Sequence, residues 1–366
     1  MSFNLASEVR RAVEETLKQR GRVNVVIAGR SGVGKSTLIN AVFQGKMAET
    51  GQGRPVTREV REITKEGIPV AIFDTRGLEM DRYKETVADL ERLVRERARD
   101  SDPSKHVHVA WLCISEDSRR VELGESAVAE LLARHVPVIV VITKVRSDQG
   151  LRAEVERLIP EARNVVRVRA LSEVDDEGNA FQPKGLADLV AVTMEVVPEG
   201  QRNAFAAAQK VALDQKKRRA HLVVGASATT AAGIGATPIP FSDAMLLVPV
   251  QIGMLASISA VFGMSLSEGF VATLVSSAIT ALGATITGQQ IVSGLLKLVP
   301  GAGSAVGGAI AAATAAALTT AFGEIYITVL HRLFQQSGGE PPSAEAIAAA
   351  FSSELKRWTS GKPPPR

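Results

Sequence analysis

From residue 23 onward the chain alternates two hydrophobic patterns. Short β-branched runs (VNVVIAG, PVAIFDT, HVHVAWLCI, PVIVVITK and NVVRVRA) are separated by stretches with helical spacing of apolar positions, such as 85–99 and 121–134. Strand and helix in alternation predict a doubly wound, mostly parallel sheet, an α/β class of fold. That pattern stops near residue 200. Between positions 222 and 323 only three charged side chains occur, Asp243, Glu268 and Lys297, in a background rich in Ala, Gly, Ser and Thr. Such a stretch predicts an all-α C-terminal domain. The expected organisation is an N-terminal amphipathic helix over 1–20, an α/β domain over 21–200 and an apolar helical domain over 201–334. A linker, a last amphipathic helix and a Pro-rich tail complete the chain over 335–366.

Composition narrows the classes. A chain of 366 residues exceeds what one hydrophobic core organises, and 45% hydrophobic with 22% charged residues describes a folded protein. The net charge of +4 is spread among nearly equal numbers of acids and bases, so no specific nucleic-acid partner is expected. The single cysteine, Cys113, allows no intramolecular disulfide framework. The opening MSFNLASEVRRAVEETLKQRG lacks the apolar core of a signal peptide, and a cytoplasmic location is expected.

Directly after the first strand, GRSGVGKS gives the spacing G-x-x-x-x-G-K-S from Gly29 through Arg30, Ser31, Gly32, Val33, Gly34 and Lys35 to Ser36, followed by Thr37. Glycines let backbone N–H groups curl around phosphate oxygens, and the positive end of a helix faces the same anion. Lys35 would bridge the β- and γ-phosphates and the Ser36 hydroxyl would ligate Mg²⁺. One strand later, DTRG places Asp74 to hold a magnesium-bound water and the Gly77 N–H to sense the γ-phosphate. Between the two motifs Thr57 is favoured to close a switch over the metal, with Thr50 and Thr64 as competitors. The residue after Gly77 is Leu78, which cannot orient an attacking water, so hydrolysis would need a second protomer, a partner or another switch residue.

GRSGVGKST, Thr57, DTRGLE, Thr143 with Lys144, and RALSE together resemble the G motifs of Era-like and septin-like GTPases. The stretch GIGATPIPFSDAMLLVPVQIGMLASISAVFG resembles the helical domain of unknown function that follows such a G domain in the bacterial YcjF-type family. The resemblance implies an α/β P-loop NTPase fold, GTP and GDP as ligands with Mg²⁺, slow or assisted GTP hydrolysis, and base contacts from Thr143, Lys144, Ala170 and Leu171.

The base motif departs from the family. In PVIVVITKVRSDQG the position of the base-reading acid is Arg146, a donor-only side chain. Either Asp148, two residues later, contacts the base, or binding rests on the phosphates and on Lys144 with relaxed base selectivity; the bland alternative is that TKVRSD ends a strand in a solvated charged loop. Arg76, Arg119 and Arg120 read as solvated side chains before arginine fingers, His106 and His108 as structural, and Cys113 as a core residue.

Three apolar stretches, 244–264, 270–287 and 302–323, approach the length that spans a bilayer, and Lys216, Lys217, Arg218 and Arg219 precede them as a cytoplasmic flank would. Pro249, Gln251 and the Ala/Gly-rich third stretch favour a packed bundle instead. The expectation is a nucleotide switch at the cytoplasmic face of a membrane, touching lipid through its helical domain and forming a homodimer. The alternatives are a nucleotide-binding scaffold with negligible hydrolysis and a ribosome-associated assembly GTPase.

Overall fold

The computed structural model describes residues 4–48, 61–75, 78, 83–236, 243–281 and 308–360. It divides into two compact units, one of Gly21–Ala212 and one that combines Met1–Arg20 with Leu213–Arg366.

In the first unit six strands form one sheet, β1 (Val23–Ala28), β2 (Arg61–Lys65), β3 (Ile68–Asp74), β4 (Val109–Ser115), β5 (Val138–Thr143) and β6 (Asn164–Arg167). Their order is β2-β3-β1-β4-β5-β6. Every pairing is parallel except that of β2 with β3. The β-branched runs are strands because both faces of the sheet are covered, which removes the need for polar alternation. Along β4, Val109, Trp111 and Cys113 enter one core layer, and Ala110, Leu112 and Ile114 enter the other. Helices α2 (Lys35–Val42), α6 (Leu186–Val196) and α7 (Glu199–Ala208) cover the first layer. There Phe43 stacks on Trp111 at 5.7 Å and meets Phe205 edge-on at 6.1 Å, and the Trp111 indole N–H donates to the Thr193 hydroxyl at 3.1 Å. Helices α3 (Tyr83–Ala98), α4 (Leu123–Ala133) and α5 (Leu151–Leu158) cover the second. A hairpin of β7 (Glu173–Val174) and β8 (Ala180–Phe181) follows β6.

The unit closes at Ala212, not at residue 200 as the composition shift suggests. Helix α7 is Ala-rich because it packs flat against the sheet layer, and its end is tied down by backbone bonds from Gln44 N to Ala208 O (2.9 Å) and from Lys210 N to Val42 O (2.8 Å).

The second unit contains α1 (Leu5–Arg20), α8 (Leu213–Gly235), α9 (Asp243–Phe262) and α10 (Glu268–Ala281), with α11 (Gly308–Gln336) and α12 (Ala344–Thr359). The N-terminal helix is not a separate appendage, since Val9, Ala12 and Val13 enter the core of this unit. Nor is α12 a loose extension of it. Ile347, Phe351 and Leu355 of α12 are fully buried in the same core, where Phe351 meets Tyr326 at 4.9 Å and Phe322 at 5.2 Å. Pro249 does not interrupt α9, which runs continuously through it. Of the expected third apolar stretch, 302–323, residues 302–307 lie outside the described residues and the rest belongs to α11, whose apolar window runs Ala312–Gln336.

The basic cluster Lys216–Arg219 lies within this unit, in α8. Lys216 is fully buried, donates to the last carbonyl of α9 at Phe262 (2.8 Å) and lies 5.6 Å from the Phe334 ring. Burial holds its amine well below the ordinary lysine range. An unfolded lysine keeps its proton up to about pH 10.4, whereas the folded amine loses it at lower pH. The unfolded chain therefore binds the extra proton in that window, and stability rises with pH by up to about 1.4 kcal/mol per unit. We predict that Lys216→Met, which keeps the packing volume, flattens this rise in urea unfolding between pH 7 and 10. A variant with the parent's slope would show that Lys216 folds charged.

Candidate functional site

The carboxyl end of β1 lies where strand order reverses, between β3 and β4, the place where open α/β sheets bind ligands. The chain leaves β1 through Gly29 at φ 142°, and a Cβ there would come within 2.4 Å of the Cys113 carbonyl oxygen on β4. Only glycine passes that point. Gly32 and Gly34 also take positive φ, 74° and 98°, and α2 starts immediately after the second. The Lys35 ammonium donates to the carbonyls of Gly29 (2.7 Å) and Arg30 (3.1 Å), so it spans the loop. Ser36 and Thr37 occupy the first turn of α2. The loop is tied from behind, because the buried Thr143 hydroxyl at the end of β5 donates to Val33 O at 2.6 Å. Cys113 beneath the loop is fully buried, and burial pushes its thiol up to about 12, which suits a packing residue.

Asp74 ends β3 opposite Ile27 in the parallel register, and Thr75 N donates to Ile27 O at 3.0 Å. A hydroxyl from Ser36 and a carboxylate from the 4% exposed Asp74 are hard oxygen donors at the same edge of the sheet, a set that suits Mg²⁺. Thr57, Thr50, Gly77 and Arg76 lie outside the described residues. Thr64 is an exposed residue of β2 paired with Ala71, and Leu78 is buried in the core layer under α3 and α4. Arg30 leaves the loop toward Glu122, the N-cap of α4, at 3.4 Å, and Arg120 shares that carboxylate at 2.7 Å.

On the base side Lys144 adopts φ 56°, exposes its side chain and lies 3.6 Å from Asp117. Arg146 is exposed; its backbone N–H donates to Glu116 Oε2 (2.5 Å) and its guanidinium pairs with Glu173 of β7 (3.4 Å). Asp148 turns away from Arg146. It accepts from Gly150 N at 3.1 Å and pairs with Arg167 at 3.7 Å. Ala170 and Leu171 follow β6, with Leu171 58% exposed, in the loop that leads to the hairpin. Arg119 points to Gln149, at 2.5 Å.

Glu116 lies outside the sequence motifs, and Arg169 and Glu173, the two ends of RALSE, carry no assigned role there. Glu116 joins the Arg146 backbone to the Arg167 guanidinium (2.5 Å). The buried Arg169 donates to Val145 O (2.8 Å) and Gln182 O (3.0 Å) and lies 5.0 Å over the Phe181 ring. The signal available in sequence was only an excess of opposite charges around RVRALSE. His108 is structural: its Nδ1 accepts from Asn24 N at 2.9 Å, its Nε2 donates to Pro103 O, and burial lowers its pKa. Among the described residues no cluster of His, Cys, Asp and Glu is arranged to hold a metal.

Residues 24–144 match the family described as 50S ribosome-binding GTPase, and residues 201–357 match the domain of unknown function DUF697. The tRNA modification GTPase MnmE of Desulfotalea psychrophila is 33% identical over 153 residues, which are 39% of this chain and 31% of that protein. Translocase of chloroplast 101 of Physcomitrium patens is 34% identical over 77 residues, 20% of this chain and 8% of that one. The chain thus spans about a third or less of these relatives. Among solved structures, Era in complex with MgGDPNP and 16S ribosomal RNA is similar at 21% identity and TM-score 0.37, covering 55% of this chain and 67% of that one. Toc33 of Arabidopsis thaliana with GDP and Mg²⁺ is similar at 15% identity and TM-score 0.33, covering 54% and 90%. The chain thus carries, over residues 24–144, a P-loop GTPase G domain that matches the family described as 50S ribosome-binding GTPase and, over residues 201–357, a helical domain that matches DUF697.

Proposed function

We propose that this protein is a guanine-nucleotide switch that hydrolyses GTP slowly with Mg²⁺ and passes its nucleotide state to the helical unit. The observation that carries this is the tied phosphate loop: Lys35 spans the carbonyls of Gly29 and Arg30, while Thr143 from the base side holds Val33. Phosphate and base recognition then share one hydrogen bond, so each is positioned by the other. Ser36 and Asp74 would hold Mg²⁺, which neutralises charge building on the phosphates, with Thr57 and Gly77 as the switch residues that sense them. The chain passes between the units twice, after Arg20 and after Ala212, which gives a loop movement two covalent routes to the helices.

A scaffold with negligible turnover is favoured by one observation, the burial of Leu78 where a water-orienting side chain would have to face the γ-phosphate. A homodimer that supplies the missing group reconciles hydrolysis with Leu78. Phosphate release that rises with protein concentration supports the switch, and nucleotide binding without release under any condition supports the scaffold. A ribosome-associated role rests on the family description alone.

For the helical unit we propose contact with lipid at the cytoplasmic face of a membrane. Supporting this, α11 contains one window, Ala312–Gln336, of mean hydropathy 1.4 that is long enough to cross a bilayer. The exposed threonines of α8, α10 and α11 also fit, since Thr229, Thr230, Thr273, Thr280, Thr320 and Thr328 each donate to the carbonyl four residues back, at 2.8–3.1 Å. Their hydroxyls need no water.

Two predictions follow from these readings. Lys35→Ala removes a charge that makes contacts of about 1.5–3 kcal/mol each, so GTP affinity measured by calorimetry should fall more than about a hundredfold. A variant that binds as tightly as the parent would remove the phosphate-site assignment. In fractionation with a carbonate wash, the full chain should pellet with membranes and a fragment of residues 21–212 should stay in the supernatant. A full chain wholly in the supernatant would confine the helical unit to an aqueous role.

A further inference from the structure

The position where a base-reading acid is expected holds Arg146, so guanine's N1–H and 2-amino donors need an acceptor from elsewhere. Four nearby carboxylates are described. Both oxygens of Glu116 are committed, Oε1 to Arg167 and Oε2 to Arg146 N. Asp148 is held by Gly150 N and Arg167. Asp117 accepts from the Ser115 hydroxyl at 3.3 Å through Oδ2, the same oxygen that faces Lys144. Asp117 Oδ1 has no partner among the described residues, but that side chain is 64% exposed. Glu173 is 33% exposed; its Oε2 pairs with Arg146 at 3.4 Å, and its Oε1 has no partner among the described residues.

Glu173 is also held in place by its hairpin. It pairs across the β7–β8 ladder with Phe181, so both side chains stand on one face, and Phe181 lies under the buried Arg169 guanidinium. Arg169 bonds back to Val145 in the loop of Lys144 and forward to Gln182, beside β8. The hairpin is thereby fastened to the base loop at two points, Arg169 and Arg146. Asp175, the remaining acid of the hairpin stem, is occupied by the turn, accepting from Glu177 N, Asn179 N and the Asn179 side chain.

We propose that Glu173, steered by its ion pair with Arg146, supplies the carboxylate that reads the guanine N1–H and 2-amino group, the reverse arrangement of an acid carried in the loop itself. The inference rests on the guanine-nucleotide reading above. Arg146 is then a positioning residue, and its inability to accept a hydrogen bond is no defect, because its role is to hold an acceptor.

The test is competition binding of GTP, ITP and XTP to the full chain with Mg²⁺. ITP lacks the 2-amino donor, and XTP carries a carbonyl there. The parent should prefer GTP to both. Glu173→Gln replaces an acceptor oxygen by an amide that can donate to that carbonyl, and should lower the GTP-to-XTP preference at least about tenfold. Adding Arg146→Asp to Glu173→Gln restores an acid at the loop position and should recover the preference for GTP, which an unfolded hairpin would not do. Asp148→Asn should leave the preference within about twofold of the parent. A Glu173→Gln variant with unchanged preference, or a preference that collapses with Asp148→Asn instead, overturns the assignment while Lys35-dependent GTP binding persists. A parent that binds no GTP overturns the nucleotide reading and this inference together.

Discussion

The close approach of Gly29 to the Cys113 carbonyl governs the site. β1 lies between β3 and β4, so a chain leaving its end must cross one neighbour, and it crosses β4 at a distance no side chain permits. The loop that results has nowhere to go but around its own amides, and α2 begins at a fixed place as a consequence. That helix is then pinned from below: Leu38, Ile39 and Val42 enter the layer formed by Phe43, Trp111 and Phe205. Phosphate geometry is in this sense a product of core packing. Trp111 and Cys113 alternate onto the same face of β4, so the strand that anchors the core also supplies the carbonyl the loop must clear.

The base side is built on different physics. Its elements are joined by charge: Arg146 to Glu173, Arg167 to Glu116 and Asp148, Lys144 to Asp117. Exposed pairs such as Arg146–Glu173 contribute little to stability, typically about 0–1 kcal/mol. Arg167–Glu116, with side chains 18% and 12% exposed, is the one pair held mostly away from solvent. The value of the network is therefore orientation. Each arginine ties a loop after one strand to a loop after another, and Arg169, buried and bonded to two carbonyls, keeps the β7–β8 hairpin against them.

The features legible in the sequence are those set by local rules. Continuous β-branched runs mark strands buried on both faces, and G-x-x-x-x-G-K-S marks a loop whose spacing is fixed by backbone curvature. Thr143 could be placed at the end of β5, but not its bond to Val33, which joins residues 110 positions apart. Glu173 ends the RALSE stretch, but nothing in that stretch gives its carboxylate a role, and only the hairpin register turns it toward Arg146. The unit boundary was misplaced because α7 looks like the apolar half in composition while packing on the sheet, a choice made by tertiary contacts. The N-terminal helix belongs to the C-terminal core, and no periodicity within 1–20 could say so.

The helical unit reverses the usual distribution of polar groups. Inside it lie Lys216, Gln251, Thr319 and a hydrogen bond between Ser259 and Tyr326 (2.6 Å); on its surface stand threonines that satisfy themselves. Buried polar groups are costly unless paired, and Lys216 is paired with the carbonyl end of α9, where the helix dipole favours a donor. A hydrophobic side chain would fill that space with less penalty, so the lysine specifies which helix end meets α8 and does not simply add stability. Charge on the outside is carried by several helices: Arg10 of α1 reaches Glu268 of α10 at 3.1 Å, Arg11 pairs with Glu15, and Arg332 of α11 pairs with Glu354 of α12 at 3.1 Å. Val9, Ala12 and Val13 bury one stripe of α1 in the core of this bundle, so the segment that opens the sequence folds with α9 and α10 rather than with the sheet it precedes.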